Sequence, residues 1–266
     1  MTPRLITISW SHFCEKARWA LERSGIAFEE RAHLAIFHYG AVLLSRGGIS
    51  VPTLETDDGT IGDSTDILKW IAARPQGAWL YPAACAEDAL AVEERCDEVL
   101  GVGARRIAYF HVIRDAALAR AMDLSSVPRW QRALLPWVFP LAGLFLRLRL
   151  RVTEATVAAD RTRVFALLDE LAARLADGRR FLCGDAFTAA DLTFAALLTP
   201  ILLPPEVPQL PRYDAVKPAY REVVDAVRAH AAGQWALQLY SDERAVAARV
   251  RTPDNRDQAC GTAPRA

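Results

Sequence analysis

The chain has 266 residues, of which 52% are hydrophobic and 24% charged, a composition typical of a folded protein with a sizeable core rather than a disordered chain. Its 32 basic and 32 acidic residues balance, so no global positive field attracts nucleic acid, although a local basic patch is compatible with this balance. The five cysteines are too scattered for a disulfide framework or a metal site: Cys14, Cys85, Cys96, Cys183 and Cys260. With no signal-peptide pattern at the N-terminus, these features predict a cytoplasmic protein that holds no metal.

Strand-like runs and helical periods alternate in the first third of the chain. Residues 4–9 form a short β-branched run bounded by turn residues, which predicts a strand. From Phe13 to Gly25, apolar residues recur at three- and four-residue spacing, which predicts a helix that ends at the glycine. A second strand is expected over 27–32 and a second helix over 33–47.

The dipeptide Asp58-Gly59 predicts a tight hairpin between two short strands. A helix is expected to follow over 64–74, with Ser64 near its N-cap. The resulting order β-α-β-α-β-β-α predicts a small mixed sheet covered by helices, an α/β domain over residues 1–78.

Helical periods dominate residues 86–250, which predicts a second, all-α domain. Thr188 and Asp191 have the spacing of a capping box at the start of one of its helices. The last two helices are expected at 212–231 and 234–249. The tail, 251–266, has no period and is predicted to be disordered.

Residues 133–146 are apolar at all fourteen positions and precede the basic run RLRLR. A membrane-spanning helix needs about 20 such residues, and Pro136 and Pro140 interrupt this segment. The favoured interpretation is a buried helix or a pocket wall. The alternative is a surface that contacts a membrane or a partner protein.

The segment SHFC, residues 11–14, lies where the first strand gives way to the first helix. A sulfur held at a helix N-terminus is stabilised as thiolate by unpaired N–H groups and by the helix dipole. Ser11 is placed to donate a hydrogen bond to such a sulfur. Cys14 lies one turn inside the helix, where packing is favoured over a redox role. Lys16 and Arg18 are expected on solvated or inter-domain faces.

Two further signals follow. Val51-Pro52 begins a strand at which the backbone of Val51 is exposed to pair with an extended peptide. Asp63 and Ser64 precede a helix whose free N–H groups suit the charged groups of an amino acid, although Ser64 is equally compatible with a simple N-cap.

In combination these motifs resemble the glutathione transferase family, in its soluble, serine- or cysteine-type, bacterial-like form. The resemblance covers about residues 4–250 and depends on four segments: SHFCEKARWAL, VPTLETDDGTIGDSTDILKWI, the connector WLYP, and FLCGDAFTAADLTFAALL. It implies a thioredoxin-like N-terminal domain followed by an all-helical C-terminal domain.

The resemblance also implies roles for individual residues. Ser11 matches the catalytic serine or cysteine, and Cys14 is the second catalytic candidate. Pro52 matches a cis-proline. The implied glutathione-binding residues are Phe13, His38, Val51, Pro52, Asp63 and Ser64. The expected substrate pocket lies between the domains and includes Trp10, Phe13, side chains from 105–113 such as Tyr109, and part of 130–146.

The sequence leaves open which hydroxyl activates the thiol and which residue holds the glycyl carboxylate. Ser9 is a second hydroxyl near the first helix, and either Arg46 or His38 is a candidate for the glycyl carboxylate. The expected activity is conjugation of glutathione, as co-substrate, to a hydrophobic electrophile by a homodimer. The alternatives are a glutathione-dependent thiol reductase or isomerase that uses Cys14, and a non-catalytic adaptor that binds a partner or membrane through 133–146.

Overall fold

Four short strands near the N-terminus form one mixed sheet. They are β1 (Arg4–Ile8), β2 (Glu29–His33), β3 (Thr53–Thr56) and β4 (Gly59–Ile61), in the spatial order β2-β1-β3-β4. β1 is parallel to β2 and antiparallel to β3, and β3 is antiparallel to β4.

The computed structural model describes residues 1–45, 48–113, 115, 117–118 and 122–244. The tail that was predicted to be disordered, 251–266, lies outside these ranges.

The hairpin predicted at Asp58-Gly59 is confirmed. Thr56 pairs with Gly59 across the turn, and Gly59 adopts a φ of 125°, a conformation that a residue with a side chain rarely takes. The hydroxyl of Thr56 donates to the Gly59 carbonyl and closes the turn.

Three helices accompany the sheet: α1 (His12–Arg23), α2 (His38–Leu44) and α3 (Ser64–Ala72). The second is shorter than the sequence predicts. Ile36 has a φ of 80°, which is incompatible with a right-handed helix, so α2 begins only after this residue.

Six further helices, and no strand, follow in the described part of the chain, which confirms the α/β-plus-all-α fold class. They are α4 (Ala86–Val112), α5 (Arg129–Arg149), α6 (Glu154–Leu175), α7 (Ala189–Leu202), α8 (Pro218–Ala229) and α9 (Ala231–Leu239).

The last two helices differ from their predicted bounds. Pro218 starts α8 because a proline at the first helical position needs no hydrogen-bond acceptor. His230 ends α8 and caps α9, accepting from the Ala232 N–H, so the break falls earlier than the sequence indicates. The final predicted residues, 245–249, lie outside the described part of the chain.

Helix α7 lies at the centre of the core, with all its residues buried, and it packs against α1, α4, α8 and α9. The capping box predicted at its start is confirmed. Asp191 accepts from the backbone N–H groups of Leu182 and Thr188, both at 2.7 Å, and from the Thr188 hydroxyl at 2.9 Å. Burial raises the pKa of Asp191 to about 6.

The prediction that the apolar segment 133–146 is buried is wrong. It lies in α5, where Trp137 is 79% and Leu141 70% exposed. The helix continues through Pro136 and Pro140, both of which face solvent. No single described helix is both long and apolar enough to span a membrane; α5 and α6 meet that criterion only as a pair bent by 67°.

Replacing Asp191 with alanine should destabilise the protein, because three buried donors on two segments lose their acceptor. We expect a loss of about 2–4 kcal/mol in the free energy of unfolding, measured by urea denaturation. Asp185→Ala, at a nearby exposed position, is the matched control and should change stability by less than about 0.5 kcal/mol. Equal effects of the two substitutions would contradict the capping role.

Candidate functional site

Ser11 is the N-cap of α1. A turn closed by the Ser11 N–H to the Ile8 carbonyl at 2.9 Å carries the chain from β1 into the helix. The Ser11 Oγ accepts a hydrogen bond from the Cys14 N–H at 3.4 Å. Since the oxygen accepts in this contact, the hydroxyl hydrogen is left to donate elsewhere. Ser11 therefore places a donor at the positive end of the helix dipole.

The segment containing Val51 and Pro52 meets Ser11 at the same edge of the sheet. Ile6 pairs with Thr53 in the antiparallel β1–β3 ladder, so Val51-Pro52 continues beside the carboxyl end of β1. The peptide bond between them is cis, as the resemblance implies. Within the described chain the Val51 backbone makes no hydrogen bond, so its N–H and C=O are available to an extended ligand.

The start of α3 joins this edge. The Ser50 hydroxyl donates to the Gly62 carbonyl at 3.0 Å, which links the cis-proline segment to the residue before Asp63. Asp63 is exposed and caps α3, accepting from the N–H groups of Thr65 and Asp66 at 2.8 and 3.3 Å. Ser64, expected near the N-cap, is instead the first helical residue and is buried.

Cys14 lies in the protein core with no exposed surface. Burial raises the pKa of its thiol to about 11, against the opposing hydrogen bond with Ser11. The thiol is therefore neutral near pH 7, and a neutral thiol is a poor nucleophile. The structure favours the packing interpretation of Cys14 over the redox one.

The other serine candidate is differently engaged. Ser9 is buried, and its Oγ lies 3.2 Å from the Ser126 Oγ, in the segment that leads into α5. It lies within the turn into α1, two residues before the N-cap, and does not cap the helix. Ser11 is therefore the hydroxyl better placed for the chemistry of a helix N-terminus.

His38 does not supply the positive charge that a carboxylate site needs. The ring is buried, and burial together with the neighbouring His33 lowers the pKa of His38 to about 4. Its Nδ1 has no hydrogen-bond partner in the described chain. His38 is thus a neutral donor or acceptor at pH 7, while Arg46, the alternative candidate, lies outside the described residues.

Aromatic residues from both halves of the chain meet beside Ser11. The Trp10 indole lies near the Tyr109 hydroxyl of α4, where it opposes the burial that raises the Tyr109 pKa. The half-buried Phe13 ring packs against Gly101, where an added Cβ would lie 2.5 Å from the ring. Phe13, predicted to bind glutathione, therefore contacts α4, and only glycine fits opposite it.

Arg105 falls in the segment 105–113 that was expected to line the pocket, but the sequence pattern did not single it out; it lies one helical turn before Tyr109 and so on the same face of α4. Its guanidinium carbon lies 6.0 Å from the centre of the Phe13 ring. Burial lowers the pKa of Arg105, and the nearby Arg106 and Arg149 lower it further. The spacing to Tyr109 is the signal that could have identified it.

Buried ionic contacts hold the two halves together. Lys16 and Glu93, both without exposed side-chain surface, lie 2.7 Å apart, and Lys16 also contacts Asp97 at 2.8 Å. Arg18 is buried between Glu15 and Glu30. Lys16 therefore lies between the domains, which was one of the two expectations. The other expectation, a solvated face, is wrong for both Lys16 and Arg18.

Other site types lack support in the described ranges. No group of three or more His, Cys, Asp or Glu side chains there is arranged to hold a metal ion. A cavity of about 620 Å³ lies away from Ser11, lined by the loop from Leu203 to Asp214 together with Asp123 and Arg228.

Two family models match the chain: the glutathione S-transferase N-terminal domain over residues 5–79, and the glutathione S-transferase C-terminal domain over residues 154–230. Together they match more than half of its length. The chain belongs to the glutathione transferase family. A search of curated proteins found no match.

Solved structures share the fold of this family member. The glutathione S-transferase of Ceriporiopsis subvermispora, in complex with glutathione, is 14% identical with a TM-score of 0.62, covering 96% of this chain and 100% of that one. A glutathione transferase from Burkholderia graminis, with two glutathione molecules per subunit, is 18% identical with a TM-score of 0.59, covering 95% and 89%. Beta-etherase LigF from Sphingobium sp. strain SYK-6 is 17% identical with a TM-score of 0.56, covering 90% and 99%.

Acid should weaken the contact between α1 and α4 through His12. The His12 Nε2 lies 3.0 Å from the Gly101 carbonyl, and burial lowers the His12 pKa to about 3. Because the unfolded chain takes up this proton first, stability present above the ordinary pKa of 6.5 is lost as the pH falls toward 3. Between pH 7 and pH 5 the free energy of unfolding should fall by about 2 kcal/mol more in the natural protein than in the His12→Gln variant. Urea denaturation at both pH values measures this difference, and parallel pH profiles would contradict it.

The Cys14 thiol should resist glutathione disulfide in the folded protein. Mass spectrometry after incubation near neutral pH should find no mixed disulfide at Cys14, because the thiol is buried and protonated. The same treatment in urea should modify it, which serves as the positive control. Modification of Cys14 in the native state faster than global unfolding would restore the redox interpretation.

Proposed function

We propose that this protein binds glutathione with its sulfur at the N-terminus of α1 and transfers that sulfur to the electrophilic carbon of a hydrophobic substrate. The observation that carries the proposal is the Ser11 hydroxyl at the helix start, beside cis Val51-Pro52 and the capped start of α3. The glutathione-bound relatives in the family support it.

In this mechanism the Ser11 hydroxyl donates to the glutathione sulfur while its oxygen continues to accept a hydrogen bond from the Cys14 N–H. Lowering the thiol pKa by ~2 units corresponds to about 2.7 kcal/mol of preferential thiolate binding, within reach of one charge-assisted hydrogen bond and a helix dipole. The thiolate attacks carbon, a C–S bond forms, and the leaving group departs with the bonding electron pair. Val51 pairs with the cysteinyl backbone, and Asp63 and Ser64 hold the γ-glutamyl end.

The substrate is proposed to lie beside Trp10 and Tyr109, whose rings come from the two domains. A thiol reductase that depends on Cys14 is disfavoured by the burial of that thiol. A homodimer, which the family resemblance predicts, stays a prediction.

Removing the Ser11 hydroxyl should raise the pKa of bound glutathione. In Ser11→Ala we expect an increase of about 1–2 units in the pKa governing kcat/KM, and about a 10- to 100-fold loss at neutral pH. Ser11→Asp keeps an acceptor for the helix cap but cannot donate from its ionised form, so it should lose activity while remaining folded. The pH profile with a generic aromatic electrophile, and the ultraviolet absorbance of bound thiolate, measure these effects.

Cys14→Ala is the control, because it removes the nearby sulfur and leaves the hydroxyl. Its activity per folded molecule should match that of the natural protein. Loss of activity in Cys14→Ala with retention in both Ser11 variants would overturn the assignment.

A further inference from the structure

Helix α5 presents large apolar side chains to solvent along most of its length. Seven of them, here called the α5 stripe, are 42–79% exposed: Trp130, Leu134, Trp137, Leu141, Leu144, Phe145 and Leu148. Six follow one another at alternating four- and three-residue intervals, a spacing that keeps them on one face of a helix. A continuous exposed apolar face of this kind marks an interaction surface.

The opposite face of α5 is held by the rest of the protein. The Gln131 side chain accepts from the Leu34 N–H at 3.0 Å and lies 2.9 Å from the His33 Nδ1. Near the other end Gly143 packs so closely that an added Cβ would lie 3.1 Å from the Ile113 side chain. Because Gln131 and Gly143 hold the inner face of α5 against the rest of the protein near both ends, the stripe on the opposite face points into solvent.

The charged residues of α5 and of the few residues after it have one sign. Residues 129–152 contain five arginines and no aspartate or glutamate. At about 100° of rotation per residue, Arg129 and Arg147 lie on one side of the stripe and Arg149 on the other; all three are exposed. The surface therefore combines an apolar centre with positively charged margins.

This pattern favours an anionic occupant over a second copy of the chain. A two-fold contact of α5 with itself would bring arginines against arginines with no acidic residue of the helix to neutralise them. Tryptophan, phenylalanine and leucine flanked by arginine are typical of helices that lie in the headgroup region of a bilayer. We propose that the α5 stripe docks this protein on the surface of anionic phospholipid membranes.

Vesicle flotation of the full chain tests the proposal. The protein should float with vesicles of equal parts phosphatidylcholine and phosphatidylglycerol, bind more weakly to pure phosphatidylcholine, and dissociate as salt is raised. The double variant Trp137→Glu with Leu141→Glu should reduce binding by about tenfold or more. Leu43→Glu with Leu44→Glu, at exposed apolar positions of α2 (72% and 87%), is the matched control and should bind like the natural protein.

Arg147→Ser with Arg149→Ser separates charge from apolar contact. It should lower binding to the anionic vesicles and reduce its salt dependence, with little effect on binding to phosphatidylcholine. Failure of the natural protein to bind anionic vesicles, or equal binding by the α5 and α2 double variants, would overturn the proposal. So would a shift from dimer to monomer in the α5 double variant, measured by sedimentation in the absence of lipid, because it would identify the stripe as a contact between copies.

Discussion

The ion pair between Lys16 and Glu93 constrains the whole arrangement, because neither side chain retains exposed surface. Removing one partner from a buried pair leaves an uncompensated charge and typically costs about 3–5 kcal/mol. Lys16 also binds Asp97 and the Thr65 hydroxyl, so one ammonium group fixes α1 against both α3 and α4. The position of Tyr109 near Trp10, the residue before Ser11, follows from that register.

The capping residues of α1 and α3 are also the residues proposed to bind glutathione. Ser11 and Asp63 both end extended segments and accept from the first N–H groups of the helix that follows. A helix start in this fold needs such an acceptor whether or not a ligand is present. Folding and the proposed glutathione binding therefore use the same polar residues at the same edge of the sheet. The caps use the side-chain oxygens of Ser11 and Asp63 as acceptors, whereas the proposed ligand contacts use the Ser11 hydroxyl hydrogen and free backbone groups.

Local patterns predicted much of this structure. Short β-branched runs indicated the sheet, and three- and four-residue spacing of apolar residues indicated the helical half. Asp58-Gly59 and Thr188 with Asp191 marked a turn and a cap that depend mainly on neighbouring residues. What depends on distant partners was not predictable in this way. The burial of Lys16 depends on a carboxylate in α4, and that of His38 depends on the packing of α2 near His33. The exposure of α5 depends on the lack of a covering layer in the described part of the chain, which hydropathy along the sequence does not encode.

Helix α1 also depends on Arg244, which lies 2.8 Å from Glu15 and forms a second buried ion pair with Glu22. Besides the local pairs of Arg18 with Glu15 and Glu30, counter-charges for this helix thus come from Glu93 and from a residue more than two hundred positions downstream. During synthesis, α1 emerges from the ribosome long before either partner exists. The contacts of Glu15 and Glu22 with Arg244 cannot form until the chain has been made past residue 244. The thioredoxin-like half, although first to appear, therefore cannot complete its native packing before then.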